Sequence, residues 1–396
     1  MMMHMFKILR KRMRGNLLLL AELMICFLVV FGVGITLFNF YDKFNQPLGF
    51  DYEDVSSIRY LQDFDESMGA KFRKAADVLR QRPEVEHVEV IHLAGFADNT
   101  WGTGGLRTQE SEDAPRFWTR YNLASDGVAD MLNMNILHGR WFGPEDDGLT
   151  DVTPVVLNRK LAINIFGRED VAGQTIWRRD GRCIVVGVID DFRQYGEAHE
   201  AMEYMFERYT WDDLEEGRFF TSVSYKVKPG TPANFESDVI DIFQREAPEL
   251  GFSAHNWVDS REFRMKRSMV MVWALILITG FLLLMVVLGM LGVLWQNITS
   301  RTQEIGLRRA LGAPADNILR QIIAELLLLS LAGVVLGSFV ALQLPLTGWF
   351  ANLELSLIMR AIGGSALVIM MLSAICAWYP GYMAMRVTPA DSLRYE

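Results

Sequence analysis

Four segments of this chain contain almost no charged residues, and each is long enough to cross a lipid bilayer. They are residues 17–38, 270–295, 322–344 and 361–379. An α-helix rises about 1.5 Å per residue, so about 20 apolar residues cover the hydrocarbon core, which is about 30 Å thick. Helices buried in soluble proteins rarely stay uncharged over that length. The sequence therefore predicts an integral membrane protein with four transmembrane helices.

The first apolar segment could instead be a cleaved signal peptide, because basic residues precede it. They are Lys7, Arg10, Lys11, Arg12 and Arg14. A signal peptide has an apolar region of about 7–15 residues followed by a cleavage site of small residues. Here the apolar segment continues to Phe38 and into Asn39, Phe40 and Tyr41. We therefore predict an uncleaved membrane anchor.

Short segments rich in Lys and Arg stay on the cytoplasmic side of a membrane. The basic N terminus, the segment 296–320 and the C-terminal tail are therefore predicted to be cytoplasmic. The basic residues of the last two are Arg301, Arg308, Arg309, Arg320, Arg386 and Arg394. Residues 41–267 then lie on the outer side, which for a bacterial inner membrane is the periplasm.

These predictions divide the chain into nine segments. They are a cytoplasmic N terminus (1–16), transmembrane helix 1 (17–38), a periplasmic domain (39–267), transmembrane helix 2 with a stalk (268–295), a cytoplasmic coupling segment (296–320), transmembrane helix 3 (321–344), a short periplasmic loop (345–360), transmembrane helix 4 (361–379) and a cytoplasmic tail (380–396).

The outer segment 41–267 is acidic, with 41 acidic and 27 basic residues against a net charge of −9 for the whole chain. An acidic domain repels the phosphate backbone of nucleic acids, so nucleic-acid binding is not expected. Only Cys183 lies in this domain, so no disulfide is predicted within it. About 225 residues can supply a sufficient hydrophobic core without one.

The outer domain begins and ends with a β-α-β pattern. Residues 56–61 and 85–91 have strand composition and flank a helix at 66–82 that Pro83 ends. Residues 219–227 and 252–257 flank a second helix, for which Thr231 and Pro232 are predicted as the N-cap and first position. The sequence predicts a large α/β (α+β) domain of split β-α-β units, with a subdomain inserted at about 94–217. That subdomain has strand candidates at 154–157 and 183–189.

The cytoplasmic segment 301–314 is predicted to contain a short amphipathic helix. Gly312 suits a left-handed helix end, and Pro314 begins the next helix. Such a helix can lie in the membrane interface or dock on a cytoplasmic partner, and its cations and its apolar residues, among them Leu311, are compatible with both.

Small and acidic residues within the spans suggest helix contacts. Gly333 and Gly337 form a small-xxx-small pair, and Gly289 and Gly292 offer a second surface for close packing. Glu22 lies about a turn and a half into the first span and Glu325 about one turn into the third, where a carboxylate either links helices or belongs to a relay. These alternatives remain open on sequence grounds.

No catalytic motif is found along the chain. A phosphate-binding G-x-x-x-x-G-K-[ST] sequence is absent, so this chain is not expected to hydrolyse ATP. The histidines and cysteines are scattered, and no metal site is predicted.

The segment 301–325, with its E-I-G-x-x-R-A-L-G-A core, resembles the FtsX-like permease domain of MacB-type ABC transporters. The outer segments 137–140, 155–158, 171–176 and 185–192 resemble the MacB-like periplasmic core domain, and 389–395 resembles the usual end of the family. The resemblance thus extends over nearly the whole chain.

This resemblance implies a dimeric permease that transmits ATP-driven motion. On that analogy a coupling helix docks on the ATPase through Glu304, Ile305, Gly306, Arg308, Ala310, Leu311 and Gly312. Because only about 16 residues precede the first span, we expect the ATPase to be a separate chain that holds ATP and Mg²⁺, with no cofactor on this one. A second permease chain, and a periplasmic adaptor with an outer-membrane channel, are further expected partners.

Two main functions remain compatible with the sequence. The first is export of a hydrophobic or amphipathic substrate driven by the ATPase. The second is a regulatory module that senses a peptide or controls a cell-wall hydrolase without moving a substrate. A membrane-anchored enzyme is a third possibility, disfavoured because no catalytic constellation stands out.

Overall fold

The structure is a computed structural model of the 396-residue chain. It describes residues 13–60, 68–92, 94–96, 101–149, 151–179, 181–216, 222–299, 307, 311, 314–344 and 354–385. The chain forms two compact units. One is Lys43–Ser268, and the other combines the segments before and after that range.

Within the described residues the helices are α1 Met13–Phe44, α2 Gly69–Arg80, α3 Val128–Met131, α4 Arg159–Phe166, α5 Trp211–Glu215, α6 Phe235–Glu246, α7 Trp257–Thr299, α8 Ala315–Ala341 and α9 Leu355–Met385. The strands are β1 Val55–Tyr60, β2 Val85–Val90, β3 Trp101–Leu106, β4 Phe117–Ala124, β5 Ile136–Gly139, β6 Val152–Asn158, β7 Thr175–Arg178, β8 Gly181–Ile189, β9 Tyr204–Arg208, β10 Ser222–Val227 and β11 Phe252–Asn256.

The helical unit contains the apolar parts of α1, α7, α8 and α9. Each of these four helices is long and apolar enough to cross a membrane, which confirms the predicted number. Their shared core includes Leu23, Phe27 and Met290. At its centre the Ser330 hydroxyl donates to the Ser373 hydroxyl over 2.7 Å, so α8 and α9 are joined by a buried polar contact. Interhelical hydrogen bonds of this kind are typical of membrane helix packing.

Helix α9 begins at Leu355, several residues before the apolar segment that starts at 361. The charged residue that limited that segment, Arg360, lies inside the helix. Its guanidinium donates two hydrogen bonds, of 3.0 and 2.6 Å, to the carboxylate of Asp42 at the end of α1. A charge that is paired in this way is tolerated in a helix end near the membrane surface.

The unit Lys43–Ser268 contains an antiparallel four-stranded sheet with the strand order β11-β1-β10-β2. Ile58 of β1 pairs with Val223 on one side and with Ala254 on the other. Helices α2 and α6 bury Phe72 and Phe243 in the same core as this sheet. Strand β10 lies between β1 and β2, so the β-α-β units are interleaved, which confirms the predicted split α/β arrangement.

Two local predictions in this region are wrong. The Thr231 side chain is not a helix cap, because its hydroxyl donates to the carbonyl of Lys228 over 2.7 Å and closes a turn; α6 begins at Phe235, after Asn234. The last strand ends at Asn256 rather than at Trp257. The Asn256 side-chain oxygen accepts from the N–H of Val258 over 2.8 Å, which caps α7 at its start.

A second sheet of seven strands is inserted between β2 and β10, which confirms the predicted inserted subdomain. Its order is β3-β4-β9-β6-β8-β5, and β7 pairs with β8. Strands β4 and β9 are parallel, as are β6 and β8. Helix α4 packs Leu161 against this sheet; the Asn158 side chain caps its start and Gly167, with φ of 70°, ends it.

Candidate functional site

Helix α7 starts inside the core of the unit Lys43–Ser268. Its first residue, Trp257, is completely buried, and its indole N–H donates to the Ser57 hydroxyl on β1 over 2.7 Å. The ring also packs edge-on against Phe50, at a centroid distance of 6.0 Å. Removing a buried Trp side chain costs about 3–5 kcal/mol, so Trp257 is a strong anchor for the start of the helix.

The next two turns of α7 contact residues 192–200, which we call the junction loop. Arg261 donates to the Glu197 carboxylate over 2.6 Å, and Glu197 is buried. Arg264 donates twice to the carbonyl of Phe96, over 3.0 and 2.7 Å, and its guanidinium lies 5.2 Å from the Tyr195 ring centroid. Charge-assisted hydrogen bonds are about twice as strong as neutral ones, so these contacts fix the helix against the loop and against Phe96.

The same loop holds the segment that follows α1. The buried guanidinium of Arg193 donates to the carbonyls of Gln46, Glu197 and His199 over 2.8, 2.9 and 2.7 Å. At Gly49, which has a φ of 84°, a Cβ atom would lie 1.9 Å from the carbonyl oxygen of Asp191. Only glycine allows the chain to pass so close.

The charges of the junction loop influence one another. Burial lowers the pKa of Arg261, but the hydrogen bond and charge of Glu197 outweigh this and raise it above its ordinary value. Burial, together with the charges of Arg264, Lys43 and Arg193, lowers the pKa of His199. Neutral His199 and charged Arg261 are therefore the forms present at neutral pH.

Two parts of the chain that are distant in sequence therefore meet at one loop. Residues 46–49 lead from α1, residues 257–264 begin α7, and both are hydrogen-bonded to residues 191–197. A displacement of α7 along its axis must strain or move this loop.

Most of the predicted coupling residues lie outside the described residues. They are Glu304, Ile305, Gly306, Arg308, Ala310 and Gly312. Leu311 is described; its side chain is 81% exposed, and its N–H donates to the carbonyl of Leu307 over 3.1 Å, as in a helical turn. Leu307 is also largely exposed. The docking role of this segment stays a prediction.

Three of the predicted packing glycines lie against other helices. A Cβ atom at Gly333 would be 3.1 Å from the Leu23 Cβ, and one at Gly337 would be 2.4 Å from the Phe27 ring. At Gly289 it would meet the Glu22 carboxylate at 2.4 Å.

Gly292 differs from these three, because no described heavy atom lies within 4 Å of the position of its Cβ. The second intramembrane acid, Glu325, accepts a hydrogen bond of 2.9 Å from Gln321 one turn earlier in α8. Glu22 therefore lies at a contact with another helix, and Glu325 is hydrogen-bonded to a residue of its own helix. The relay alternative stays untested for both residues.

Sequence reasoning did not identify the junction loop. A usable signal was present at the start of α7, where Arg261, Arg264, Lys266 and Arg267 form a basic run at the end of an otherwise acidic domain. Arg193 and Glu197 gave no signal, because they lie in a loop without periodicity.

The chain matches two protein families. Residues 23–231, which are more than half of the chain, match the MacB-like periplasmic core domain. Residues 276–389 match the FtsX-like permease C-terminal family. The junction loop lies within the first match, and Leu311 lies within the second.

Relatives of known sequence include two bacterial proteins. The macrolide export ATP-binding/permease protein MacB of Pasteurella multocida is 28% identical over 306 residues, which cover 74% of this chain and 46% of that protein. The uncharacterized ABC transporter permease YknZ of Bacillus subtilis is 24% identical over 294 residues, 69% of this chain and 70% of that protein. This chain thus spans about half the length of the MacB relative.

Among solved structures, the periplasmic region of MacB from Actinobacillus actinomycetemcomitans aligns with 56% of this chain and 97% of its own length, at 14% identity and a TM-score of 0.38. The two family matches and the four apolar helices lead to one assignment. This chain belongs to the FtsX-like ABC transporter permeases that contain a MacB-like periplasmic core domain.

Proposed function

We propose that this chain is the permease subunit of an ABC transporter and converts ATP hydrolysis by a separate cytoplasmic ATPase into movement of the unit Lys43–Ser268. In this proposal the chain lies in a bacterial inner membrane with both termini in the cytoplasm and pairs with a second permease chain. ATP and Mg²⁺ bind to the ATPase, and this chain holds no cofactor.

The observation that carries the proposal is the continuity of α7. This helix has 43 residues, which at about 1.5 Å per residue gives a length of about 65 Å. It begins at the buried Trp257 and ends at Thr299, eight residues before the exposed Leu307. Because coupling is carried well by rigid secondary elements, a push near Thr299 reaches the junction loop through unbroken backbone hydrogen bonds.

The proposed substrate is a hydrophobic or amphipathic molecule that is exported. The name of the Pasteurella relative includes macrolide export, so a macrolide antibiotic is the first probe to use. A periplasmic adaptor and an outer-membrane channel would complete the path of such a substrate.

The test uses the full-length chain, purified together with its bound ATPase and reconstituted into lipid vesicles. Leu311→Asp places a charge on the exposed apolar turn, and we expect at least a tenfold loss of co-purified ATPase and of ATP-dependent macrolide movement, about 1.4 kcal/mol or more. Leu149→Asp is the matched control, because Leu149 is an exposed leucine in the other unit.

The outcomes separate the candidate functions. Unchanged ATPase binding by Leu311→Asp would contradict docking at this turn. Normal ATP turnover without movement of any macrolide would contradict export, and would instead support the second candidate, a regulatory or sensing module.

A further inference from the structure

Phe96 has a backbone conformation that bulky residues rarely adopt. Its φ is 59°, and the other non-glycine residues with positive φ in the described part of the chain are Asp54 and Asn133. Asp and Asn tolerate the left-handed region because their short polar side chains bond locally, whereas a large side chain crowds its own backbone there. Such strain persists only where the surrounding structure enforces it.

Hydrogen bonds hold the backbone of Phe96 on both sides. Its N–H donates to the carbonyl of Gln194 in the junction loop over 3.0 Å. Its carbonyl accepts from two guanidinium nitrogens of Arg264 on α7, over 3.0 and 2.7 Å. The torsions φ and ψ set the direction of the N–H relative to that of the carbonyl, so fixing both groups restricts these torsions. Gln194 and Arg264 together therefore hold Phe96 in the left-handed conformation.

Side-chain packing keeps Phe96 at this position. Phe96 is 4% exposed, and its ring lies 5.6 Å from the Phe50 ring and 5.5 Å from the Tyr52 ring. The preceding Gly95 lies against Trp257, because a Cβ atom at Gly95 would be 2.6 Å from the indole ring. Withdrawal of the buried ring of Phe96 is costly, so rotation of its backbone is the easier way to relieve the strain.

We propose that Phe96 is a strained latch between α7 and the junction loop. While Arg264 binds its carbonyl, Phe96 keeps the left-handed conformation. When α7 withdraws Arg264, φ returns to the negative range and the carbonyl turns away from the helix. The charge-assisted bonds of Arg264 favour the latched state, and the backbone energy of Phe96 favours the released state. The strain thus makes the hold of the junction loop on α7 easier to release than it would be with glycine at this position.

The latch belongs to the unit Lys43–Ser268 and does not depend on the proposed function. If α7 transmits movement, the latch gives that movement a threshold, because the helix leaves the loop only after the Arg264 bonds break. Elements with two discrete arrangements are those that convert small shifts into larger ones. The latch is tested without ATP or an ATPase, so its failure and the failure of the proposed function are separate results.

The experiment compares glycine with alanine at position 96, because alanine is favoured at negative φ and glycine at positive φ. Phe96→Gly and Phe96→Ala are each made with Arg264 intact and with Arg264→Gln, in the full-length chain in detergent. Native-state hydrogen exchange of peptides from 257–268 measures the opening of the start of α7. With Arg264 intact, we expect exchange about fivefold slower in Phe96→Gly than in Phe96→Ala. With Arg264→Gln the order should reverse, with exchange about twofold slower in Phe96→Ala.

Phe50 provides the matched control, because it is a buried neighbour of the Phe96 ring and its φ is not positive. Phe50→Ala should exchange more slowly than Phe50→Gly in both backgrounds. Lys266→Gln controls for the loss of a cation from α7, because Lys266 is exposed and pairs with Glu262. This substitution should leave the order of the two variants at position 96 unchanged.

Near-UV circular dichroism verifies that each variant is folded. If the Phe96 variants are not, exchange of the Phe96 amide is compared between Arg264→Gln and Lys266→Gln in the otherwise unchanged chain. The latch requires exchange at least about tenfold faster in Arg264→Gln, and equal exchange overturns the proposal. Among folded variants, the proposal is overturned if Phe96→Gly exchanges no more slowly than Phe96→Ala with Arg264 intact, or if the order is the same in both backgrounds.

Discussion

The ion pair between Glu197 and Arg261 provides the sharpest test of the junction loop. The perturbations are Glu197→Gln, Arg261→Gln and the double variant, which together form a double-mutant cycle. Glutamine keeps the approximate size of each side chain and removes its charge. The cycle therefore isolates the interaction between the two charges from other effects of each substitution.

The expected magnitude follows from the burial of the pair. At a separation of about 4 Å between charge centres and an effective dielectric constant of about 20, the attraction is about 4 kcal/mol. Glu197 is 6% exposed and three-quarters of the Arg261 side chain is buried, so desolvation offsets part of this attraction. We expect a coupling energy of about 2 kcal/mol.

Helix α7 contains a matched control pair that begins one position after Arg261. Glu262 and Lys266 are joined over 3.0 Å at i and i+4, but both side chains are more than half exposed. Such surface pairs contribute about 0.3–0.5 kcal/mol. The same cycle at Glu262 and Lys266 should therefore give at most about one-quarter of the coupling energy expected for Glu197 and Arg261.

The assay is native-state hydrogen exchange of the full-length chain, read in peptides from 257–268 by mass spectrometry. Local opening free energies are available from this method without unfolding the whole protein. A coupling energy between Glu197 and Arg261 that is no larger than that of the control pair would refute the view that the junction loop holds α7.

Two further predictions concern pH and helix packing. Burial, together with the charge of Arg59, lowers the pKa of His92 from its ordinary value of 6.5 to about 4. Below pH 6.5 the unfolded state therefore binds more protons at His92 than the folded state does. The contribution of His92 to the stability of the unit Lys43–Ser268 should fall by about 2 kcal/mol from pH 7.5 to pH 5, and His92→Gln should remove that contribution from the pH dependence seen in thermal unfolding scans. Gly337→Ala would force a Cβ against Phe27 and should cost about 1–3 kcal/mol, whereas Gly363→Ala, with open space around it, should leave the Tm unchanged or raised.

Those features of the fold that depend on local sequence patterns were predictable. The four apolar helices follow from hydropathy over about 20 residues, which needs no knowledge of distant contacts. The helix Gly69–Arg80 was predictable because Phe72, Ala75, Ala76 and Leu79 recur on one face, and all four are buried.

Much of the inserted subdomain was not predictable in the same way. Strands β5 and β7 have four residues each, too few to show a reliable alternation. Strand β9 pairs with β4 and β6, which come from much earlier positions in the chain. Pairings of this range are determined by the packing of the whole domain and leave no local mark.

The junction loop was missed for a related physical reason, and that reason also indicates how the loop behaves. Arg193 and Arg264 donate hydrogen bonds to backbone carbonyls, and a carbonyl partner leaves no complementary charge in the sequence by which to identify it. A carbonyl has no proton to gain in the physiological pH range, and a guanidinium stays charged throughout it. These bonds therefore persist when the medium is acidified. The buried His92, in contrast, stays neutral in the folded state while it is protonated in the unfolded state, which lowers the free energy of unfolding. Acidification should therefore weaken the domain at His92 while the bonds of Arg193 and Arg264 to carbonyls remain.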